Sequence, residues 1–194
     1  MQYDVILAGF GGQGVLLVGK MLAYAGMADG KEVSWLPSYG PEMRGGTCNC
    51  TVVISDKPVG SPVVERPRAA IVLNLPSLDK FEPMVKPGGL LVINSSLINR
   101  GASRTDLRVI LVPANEIAME LGNPRGANMV ALGAFLGATH AVSLDAVDGL
   151  IRDTFAGKPK IIDVNLASLR RGYEVGEGAA GMQSAAAAAQ EVGA

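Results

Sequence analysis

The residues near the start of the chain that are best suited to chemistry form a glycine-rich loop. Gly11, Gly12, Gln13 and Gly14 continue a run that begins at Gly9, between a predicted strand and a predicted helix. Glycines allow a tight turn there, and they let backbone N–H groups and a helix N-terminus approach an anionic phosphate. The same spacing also serves simply to pack a helix on a strand. The motif therefore leaves two interpretations open, an anion site and a structural turn.

A site for a nicotinamide dinucleotide would need an acidic residue in addition to this loop, and the sequence does not supply one at the required position. An NAD site usually has Asp or Glu at the end of the second strand, about 20 residues after the glycines. Residues 36–39 are Leu-Pro-Ser-Tyr, and Glu32 lies at the beginning of that strand, so NAD is disfavoured. NADP stays open, because Ser38 and Arg44 can contact a 2′-phosphate. An alternative function is therefore a stand-alone NADP-dependent Rossmann oxidoreductase.

A second polar loop follows the second predicted strand. Gly40-Pro41 and Gly45-Gly46 bend the chain on either side of Glu42 and Arg44, which cannot easily join a regular element there. Arg44 can make a bidentate contact with a carboxylate or a phosphate, with Glu42 orienting it. Tyr39 can offer a ring face for stacking. The alternative is an internal Glu42–Arg44 pair that only braces the loop.

Composition limits the kinds of function that the chain can have. It has 194 residues, 48% hydrophobic and 18% charged, which is typical of one folded domain with a substantial core. A formal charge of −1 gives no support to a nucleic-acid partner or a basic membrane surface. One His and two Cys cannot ligate an iron–sulfur cluster with four thiolates, or zinc from His and Cys alone. We expect Cys48 and Cys50 to be reduced, buried thiols, and the protein to be cytoplasmic, without export signal or membrane span.

Strand-like and helix-like stretches alternate along the chain, and this pattern predicts an α/β fold. We expect a three-layer α/β/α Rossmann-like domain whose central sheet is mostly parallel but mixed. A strand over 47–55 and a partner strand over 59–64, joined by a turn at Asp56-Lys57-Pro58, supply the antiparallel part.

The C-terminal third predicts helices followed by a tail. A nearly all-apolar helix over 126–139 is expected to pack between layers or against another subunit, so the isolated chain can self-associate. The last convincing helix is predicted over 161–173. Residues 1–175 are then expected to form the single domain, and the Ala- and Gly-rich residues 176–194 a flexible tail.

Together, the two loops closely resemble those of the gamma subunit of 2-oxoacid:ferredoxin oxidoreductases, particularly of the 2-oxoglutarate type. The resemblance covers about Met1 to Glu174, and residues 9–14 and 38–46 show no departure from it. It implies a cytoplasmic subunit of a heteromeric oxidoreductase, inactive alone, with alpha, beta and delta subunits as partners. The segment after Gly176 lies outside the resemblance.

The resemblance also implies where the cofactors belong. The complex would decarboxylate a 2-oxoacid, pass electrons to ferredoxin and transfer the acyl group to coenzyme A. Thiamine diphosphate, magnesium and the iron–sulfur clusters would belong to partner subunits, and this chain would help to bind coenzyme A. No catalytic or metal-binding residue is assigned to it, and the candidate cofactor-binding residues are Gly11, Gly12, Gln13, Gly14, Ser38, Tyr39, Glu42 and Arg44, with Arg44 as a charged clamp.

Two other functions stay open beside this one. A stand-alone NADP-dependent oxidoreductase predicts saturable NADP binding by the isolated chain. A non-catalytic docking scaffold predicts instead that loop substitutions dissociate the assembly without changing its affinity for coenzyme A.

Overall fold

The computed structural model describes residues 2–39 and 45–192, which form six strands and six α-helices. The strands are β1 (Gln2–Phe10), β2 (Glu32–Tyr39), β3 (Thr47–Ser55), β4 (Ala69–Val72), β5 (Leu90–Asn94) and β6 (Arg108–Val112). The helices are α1 (Val15–Ala28), α2 (Leu75–Phe81), α3 (Ala114–Glu120), α4 (Ala127–Thr139), α5 (Leu144–Thr154) and α6 (Pro159–Val192), and a 3₁₀ turn over Glu82–Met84 follows α2.

The six strands form one sheet in the order β2-β3-β1-β4-β5-β6. β1 pairs in parallel with β4, β4 with β5, and β5 with β6, whereas β3 is antiparallel to both β1 and β2. β3 is thus the one reversed strand of the described sheet. The predicted mixed and mostly parallel sheet is confirmed.

The strand predicted over 59–64 does not form in the described chain, so that prediction is wrong. β3 was its expected partner, but β1 pairs with one edge of β3 and β2 with the other along the whole of Thr47–Ser55. No edge of β3 is left for a returning strand. Pro58 and Pro62 also lack the N–H groups that a ladder needs, and the Ser61 side chain instead closes a local turn by accepting a hydrogen bond from the Val63 N–H.

Alternate residues of the strands pack on opposite faces of the sheet, as a period of two requires. Leu7 and Ile110 lie in the larger core, which they share with residues of α1, α4, α5 and α6. Ile93 lies in a smaller core on the other face, with Leu78 of α2 and Phe81. The predicted three-layer α/β/α architecture is confirmed.

Four glycines bring α4 and α6 into backbone contact. An ideal Cβ on Gly133 would lie 2.0 Å from the Leu169 carbonyl oxygen, and one on Gly172 would lie 2.0 Å from the Val130 carbonyl oxygen. Gly137 and Gly176 approach the opposite helix equally closely. Since the contacts advance in the same direction along both helices, α4 and α6 run parallel, and their N-termini lie at the same end of the domain.

The last helix is longer than the sequence predicts. α6 extends to Val192, whereas an end at Tyr173 was expected, and the predicted boundary between residues 175 and 176 falls inside it. Gly176 still packs on Ala134 of α4, and the alanines beyond it have the highest intrinsic helix propensity. Neither α6 nor any other helix in the described residues is apolar enough over a sufficient length to cross a bilayer.

A buried carboxylate fixes the loop between β5 and β6. Glu82 is 2% exposed, and its Oε1 accepts hydrogen bonds from the Ser103 hydroxyl at 2.8 Å and the Arg104 N–H at 2.9 Å. Its Oε2 accepts one from Arg100 at 3.2 Å. Burial alone would raise the pKa of Glu82, but the hydrogen bonds from Arg104, Ser103 and Arg100 outweigh burial and hold the pKa below its ordinary value.

Because the folded-state pKa of Glu82 is depressed, its ionised form stabilises the fold above the ordinary Glu pKa, and this stabilisation is lost as the pH falls through the lowered value. Glu82→Gln is expected to reduce the free energy of unfolding at pH 7 by about 2 kcal/mol. As the pH is lowered from 5, the variant should also lose less stability than the wild type. Urea unfolding across this range measures both effects. The exposed Glu174, paired with Arg171, gives the control Glu174→Gln, for which a change below about 0.5 kcal/mol is expected.

Candidate functional site

The glycine loop turns the chain from the end of β1 into α1. Gly12 and Gly14 have φ values of 102° and 75°, which favour glycine, and Gly14 is the N-cap of α1. The Gln13 side chain braces the turn, because its Oε1 accepts hydrogen bonds from the Phe10 N–H at 2.6 Å and from Asn74 Nδ2 at 3.2 Å. Space around Gly12 is open, with no described atom within 4 Å of an ideal Cβ. The loop therefore presents backbone, not side chains, to the outside.

The two loops singled out in the sequence meet in the structure. The Gly11 N–H donates to the Gly46 carbonyl at 2.9 Å, and the Gly45 N–H donates to the Gly11 carbonyl at 3.3 Å. Ser38 lies exposed near the end of β2, opposite Asn49 of β3. The backbone of Tyr39 belongs to β2, while its side chain, like Glu42 and Arg44, lies outside the described residues. The structure thus brings the ends of the loops together and leaves the Arg44 clamp a prediction.

Three helices begin around one cleft of about 650 Å³ beside the glycine loop. Its lining includes Gly14 at the start of α1, Asn128 in the first turn of α4 and Lys160 in the first turn of α6. The N-terminus of a helix carries partial positive charge and unpaired N–H groups, so acidic or capping side chains usually occupy it. None of the three has an acidic residue in its first turn, and α1 and α4 have no side-chain cap.

Two helices that do not line the cleft, α2 and α5, have side-chain caps at their N-termini. α5 is capped by the Ser143 hydroxyl, which accepts from the Ala146 N–H at 3.2 Å, and Asp145 lies in its first turn. α2 is capped by Asn74, whose Oδ1 accepts from the Ser77 N–H at 2.9 Å. α1 and α4 thus have no capping side chain at the N-cap residue, although within the first turn of α4 Asn128 Oδ1 accepts a hydrogen bond from the Met129 N–H at 2.9 Å. The other N–H groups of these first turns suit an anion that would supply acceptors.

Two cations and an apolar wall complete this cleft. Arg125 lies in the turn before α4 and Lys160 at the start of α6, and both are exposed. The wall consists of Leu17, Met129, Phe155, Ile161 and Val164. Sequence reasoning missed Arg125 and Lys160, since each is more than 100 residues from the glycine loop. The only sequence feature that could have pointed to Arg125 was the Gly122-Asn123-Pro124 turn directly before it.

A second cleft, of about 540 Å³, adjoins the first along Gly12, Gln13 and Arg125. Side-chain amides line it at the carboxyl ends of parallel strands: Asn94 ends β5, and Asn115 follows β6. Asn94 Nδ2 donates to Asn115 Oδ1 at 2.9 Å and to the Leu73 carbonyl at 3.4 Å, which fixes the orientation of the amide. Asn94 Oδ1 is buried without a donor among the described residues. In open α/β sheets, ligands bind in the crevice at these strand ends.

The cysteines are packing residues, as predicted. Cys50 is fully buried in the core and Cys48 nearly so, and both are free thiols. Burial raises the pKa of Cys50 to about 12 and also raises that of Cys48, so neither is a thiolate near neutral pH. Cys50 fills the space opposite Gly19 of α1, where an ideal Cβ would lie 2.3 Å from its sulfur.

Comparison with known proteins gives the family. A family model for pyruvate ferredoxin/flavodoxin oxidoreductase matches residues 4–175, and the chain belongs to this family. A ketoisovalerate oxidoreductase subunit VorA from Methanothermobacter marburgensis is 46% identical over 172 residues, which are 88% of this chain and 36% of the relative. The chain thus spans about a third of that relative's length. A 2-oxoglutarate synthase subunit KorC from Methanocaldococcus jannaschii is 35% identical over 178 residues, covering 90% of this chain and 94% of the relative.

Solved structures confirm the resemblance to gamma subunits. The gamma subunit of a keto/oxoacid ferredoxin oxidoreductase from Geobacter sulfurreducens is 29% identical, with a TM-score of 0.77 over 91% of this chain and 99% of that one. A 2-oxoglutarate:ferredoxin oxidoreductase from Magnetococcus marinus, solved with 2-oxoglutarate, coenzyme A and succinyl-CoA bound, has the same fold over 91% of this chain and 31% of that one. Its TM-score is 0.84 at 22% identity.

Proposed function

We propose that this chain acts as the gamma subunit of a multi-subunit 2-oxoacid:ferredoxin oxidoreductase and provides a binding surface for coenzyme A. The observation that carries the proposal is the convergence on the glycine loop of three helix N-termini that have no acidic residue in their first turns, with Arg125 and Lys160 beside them. Coenzyme A carries a diphosphate and a further phosphate, so it is an anion with the charge that such a cleft would attract.

The order of the lining residues also suits coenzyme A. The apolar wall around Phe155 and Met129 would take the flat base. Gly12 and Arg125, which line both clefts, would take the diphosphate. Asn94 and Asn115 would then face the arm of coenzyme A, which carries two amides. An amide N–H of this arm can donate a hydrogen bond to Asn94 Oδ1, which has no donor among the described residues.

The position of β3 favours coenzyme A over NADP. In a dinucleotide site, the residue that holds the ribose stands at the end of the strand next to β1. Here β3 lies between β1 and β2, so the end of β2 with Ser38 is two strands, roughly 10 Å, away from β1. The NADP-dependent oxidoreductase is therefore the weaker alternative.

In the proposed complex, the chemistry of the acid belongs to other subunits. Thiamine diphosphate with magnesium supplies the carbanion chemistry when bound, and we assign it to the alpha and beta subunits, with the iron–sulfur clusters on a delta-type subunit and ferredoxin as acceptor. Among the described residues, no three His, Cys, Asp or Glu side chains are grouped to hold a metal.

The 2-oxoacid itself would bind outside this chain, so its identity rests on likeness alone. The 46% identical relative is named for ketoisovalerate and the 35% identical one for 2-oxoglutarate. We therefore propose a branched-chain 2-oxoacid as the first substrate to test, in place of the 2-oxoglutarate that the sequence motifs favoured. Assays of ferredoxin reduction by the co-purified complex, with ketoisovalerate and 2-oxoglutarate as alternative substrates, decide between the two acids.

Titration calorimetry of the full chain with coenzyme A tests the proposed site. Arg125→Gln and Lys160→Gln are each expected to weaken binding about tenfold, because each removes a charge-assisted contact with a phosphate. The exposed Arg152 of α5 lies outside the cleft lining, so Arg152→Gln is the matched control and should leave affinity unchanged. Saturable NADP binding without coenzyme A binding would support the stand-alone enzyme. Loss of assembly with unchanged affinity would support the docking scaffold.

A further inference from the structure

The turn before α4 is tied to α6 by hydrogen bonds to two buried side chains. Asn123 Nδ2 donates to the Ser168 hydroxyl oxygen at 3.1 Å and to Asn165 Oδ1 at 3.2 Å. Ser168 is fully buried and Asn165 is 7% exposed. We call these three side chains the Asn123 cluster. The cluster joins the turn that carries Arg125 to the helix that carries Lys160.

Neighbouring hydrogen bonds fix the direction of each contact in the Asn123 cluster. Asn165 Nδ2 donates to the Ile161 carbonyl at 2.8 Å, so Asn165 Oδ1 is turned toward Asn123 and accepts from it. The Ser168 hydroxyl donates its one hydrogen to the Val164 carbonyl at 2.7 Å, so its oxygen likewise accepts from Asn123. Asn123 therefore supplies the donor for both buried oxygens, and no other arrangement of these three groups satisfies them as well.

The backbone beside Arg125 is shaped for this contact. An ideal Cβ on Gly126 would lie 2.1 Å from Asn123 Nδ2 and 2.9 Å from Ser168 Oγ, so a side chain there would displace the Asn123 amide. The Gly126 N–H donates to the Asn123 carbonyl at 2.8 Å, and the Asn123 N–H donates to the Ala118 carbonyl of α3 at 2.8 Å. Asn123 is thus held through its backbone as well as its side chain, two residues before Arg125.

Neither cation of the cleft has a partner that would hold its charged group. Within the part of the chain that the structure describes, the Arg125 guanidinium and the Lys160 ammonium make no hydrogen bond or ion pair. Each charged group can therefore reach only where its own backbone places it. Since the Asn123 cluster holds one backbone segment against the other, it limits the separation of the two charges.

We propose that Asn123 is a positioning residue for the anion cleft and acts on the ligand through Arg125. This role rests on the proposed function, because it concerns the phosphate groups of coenzyme A that Arg125 and Lys160 are proposed to bind. Cations held near their bound positions need less ordering when the ligand arrives. A contact that served stability alone could be apolar, because buried hydrogen bonds add little net free energy but do specify one geometry.

A double-mutant cycle separates positioning from direct contact, which matters because Asn123 also lines the cleft. Coenzyme A is titrated calorimetrically into the full chain of the wild type, Asn123→Ala, Arg125→Gln and the double variant. Asn123→Ala alone is expected to raise the dissociation constant about fivefold, because a misplaced Arg125 keeps part of its contact. In the Arg125→Gln background the same substitution should raise it less than about twofold, because the contact that Asn123 positions is already absent.

Ser168→Ala tests the cluster from a residue that does not line the cleft. It removes the hydroxyl that accepts from Asn123 and should raise the dissociation constant about threefold. Thr139→Val is the matched control, because the Thr139 hydroxyl also donates to the carbonyl four residues earlier, that of Phe135, at 2.7 Å. Thr139 ends α4 far from the cleft. Both variants should lower the melting temperature, but Thr139→Val should leave the affinity for coenzyme A unchanged.

The possible failures of this role can be told apart from failure of the proposed function. An equal loss of affinity for Asn123→Ala in both backgrounds would mean that Asn123 contacts the ligand itself, and the positioning role would be wrong. Unchanged affinity in Asn123→Ala, or equal losses in Ser168→Ala and Thr139→Val, would reduce the cluster to a stabilising contact. In these cases the proposed function stands if Arg125→Gln still weakens binding. If the wild type does not bind coenzyme A, the proposed function fails, and the positioning role fails with it.

Discussion

Gly133→Ala is expected to lower the free energy of unfolding by about 3 kcal/mol, because the added methyl group meets backbone and not a movable side chain. Its Cβ would lie 2.0 Å from the Leu169 carbonyl oxygen and 2.8 Å from the Tyr173 nitrogen. Relief of this overlap requires α4 and α6 to separate over their whole contact. Gly172→Ala should have the same effect from the other side, where the Val130 carbonyl oxygen lies 2.0 Å from the new Cβ.

Gly149 in the interior of α5 provides the matched control. No described atom lies within 4 Å of an ideal Cβ there, so Gly149→Ala should stabilise the protein by up to about 1 kcal/mol through helix propensity alone. Thermal unfolding measures both changes, with an expected fall of roughly 6–12 °C for Gly133→Ala, at 2–4 °C per kcal/mol for a chain of this size. Equal melting temperatures for Gly133→Ala and Gly149→Ala would contradict the close contact of α4 and α6.

Local patterns predicted most of the strands, because each strand carries its own signal. The β3 strand Thr47–Ser55 matches the predicted range, since Thr and Val recur between Gly46 and the turn at Asp56. The strand predicted over 59–64 failed for a non-local reason. Whether β3 has a free edge depends on β1 and β2 pairing on both of its sides, and no pattern within residues 59–64 contains that information.

The glycine loop was predictable because its residues are contiguous, whereas the rest of the cleft was not. Arg125 and Lys160 reach the loop only because α4 and α6 run parallel and start at the same edge of the sheet. The sequence does hold a trace of this arrangement. Gly133 and Gly137 in α4, and Gly172 and Gly176 in α6, are spaced by four residues, which places each pair on one face of its helix. Such spacing indicates that two helices approach closely, but not which residues precede them.

Gly12→Ala is expected to weaken coenzyme A binding about a hundredfold if the coenzyme occupies the proposed cleft. Gly12 lines both clefts at a φ of 102°, and the space around its Cα is open, so the methyl group would project where the diphosphate is proposed to lie. Two lost backbone contacts to a charged group, at about 1.5 kcal/mol or more each, account for a change of this size.

Backbone strain must be separated from this loss of contact, and Gly30 allows the separation. Gly30, in the turn after α1, also has a positive φ, of 72°, with no described atom within 4 Å of an ideal Cβ, but it does not line either cleft. Both variants should lose about 1–2 kcal/mol of stability to the strained conformation. Only Gly12→Ala should lose affinity, as measured by titration calorimetry with coenzyme A. An equal loss in Gly30→Ala would mean that strain in the fold, and not contact at the loop, controls binding, and unchanged affinity in Gly12→Ala would remove coenzyme A from the glycine loop.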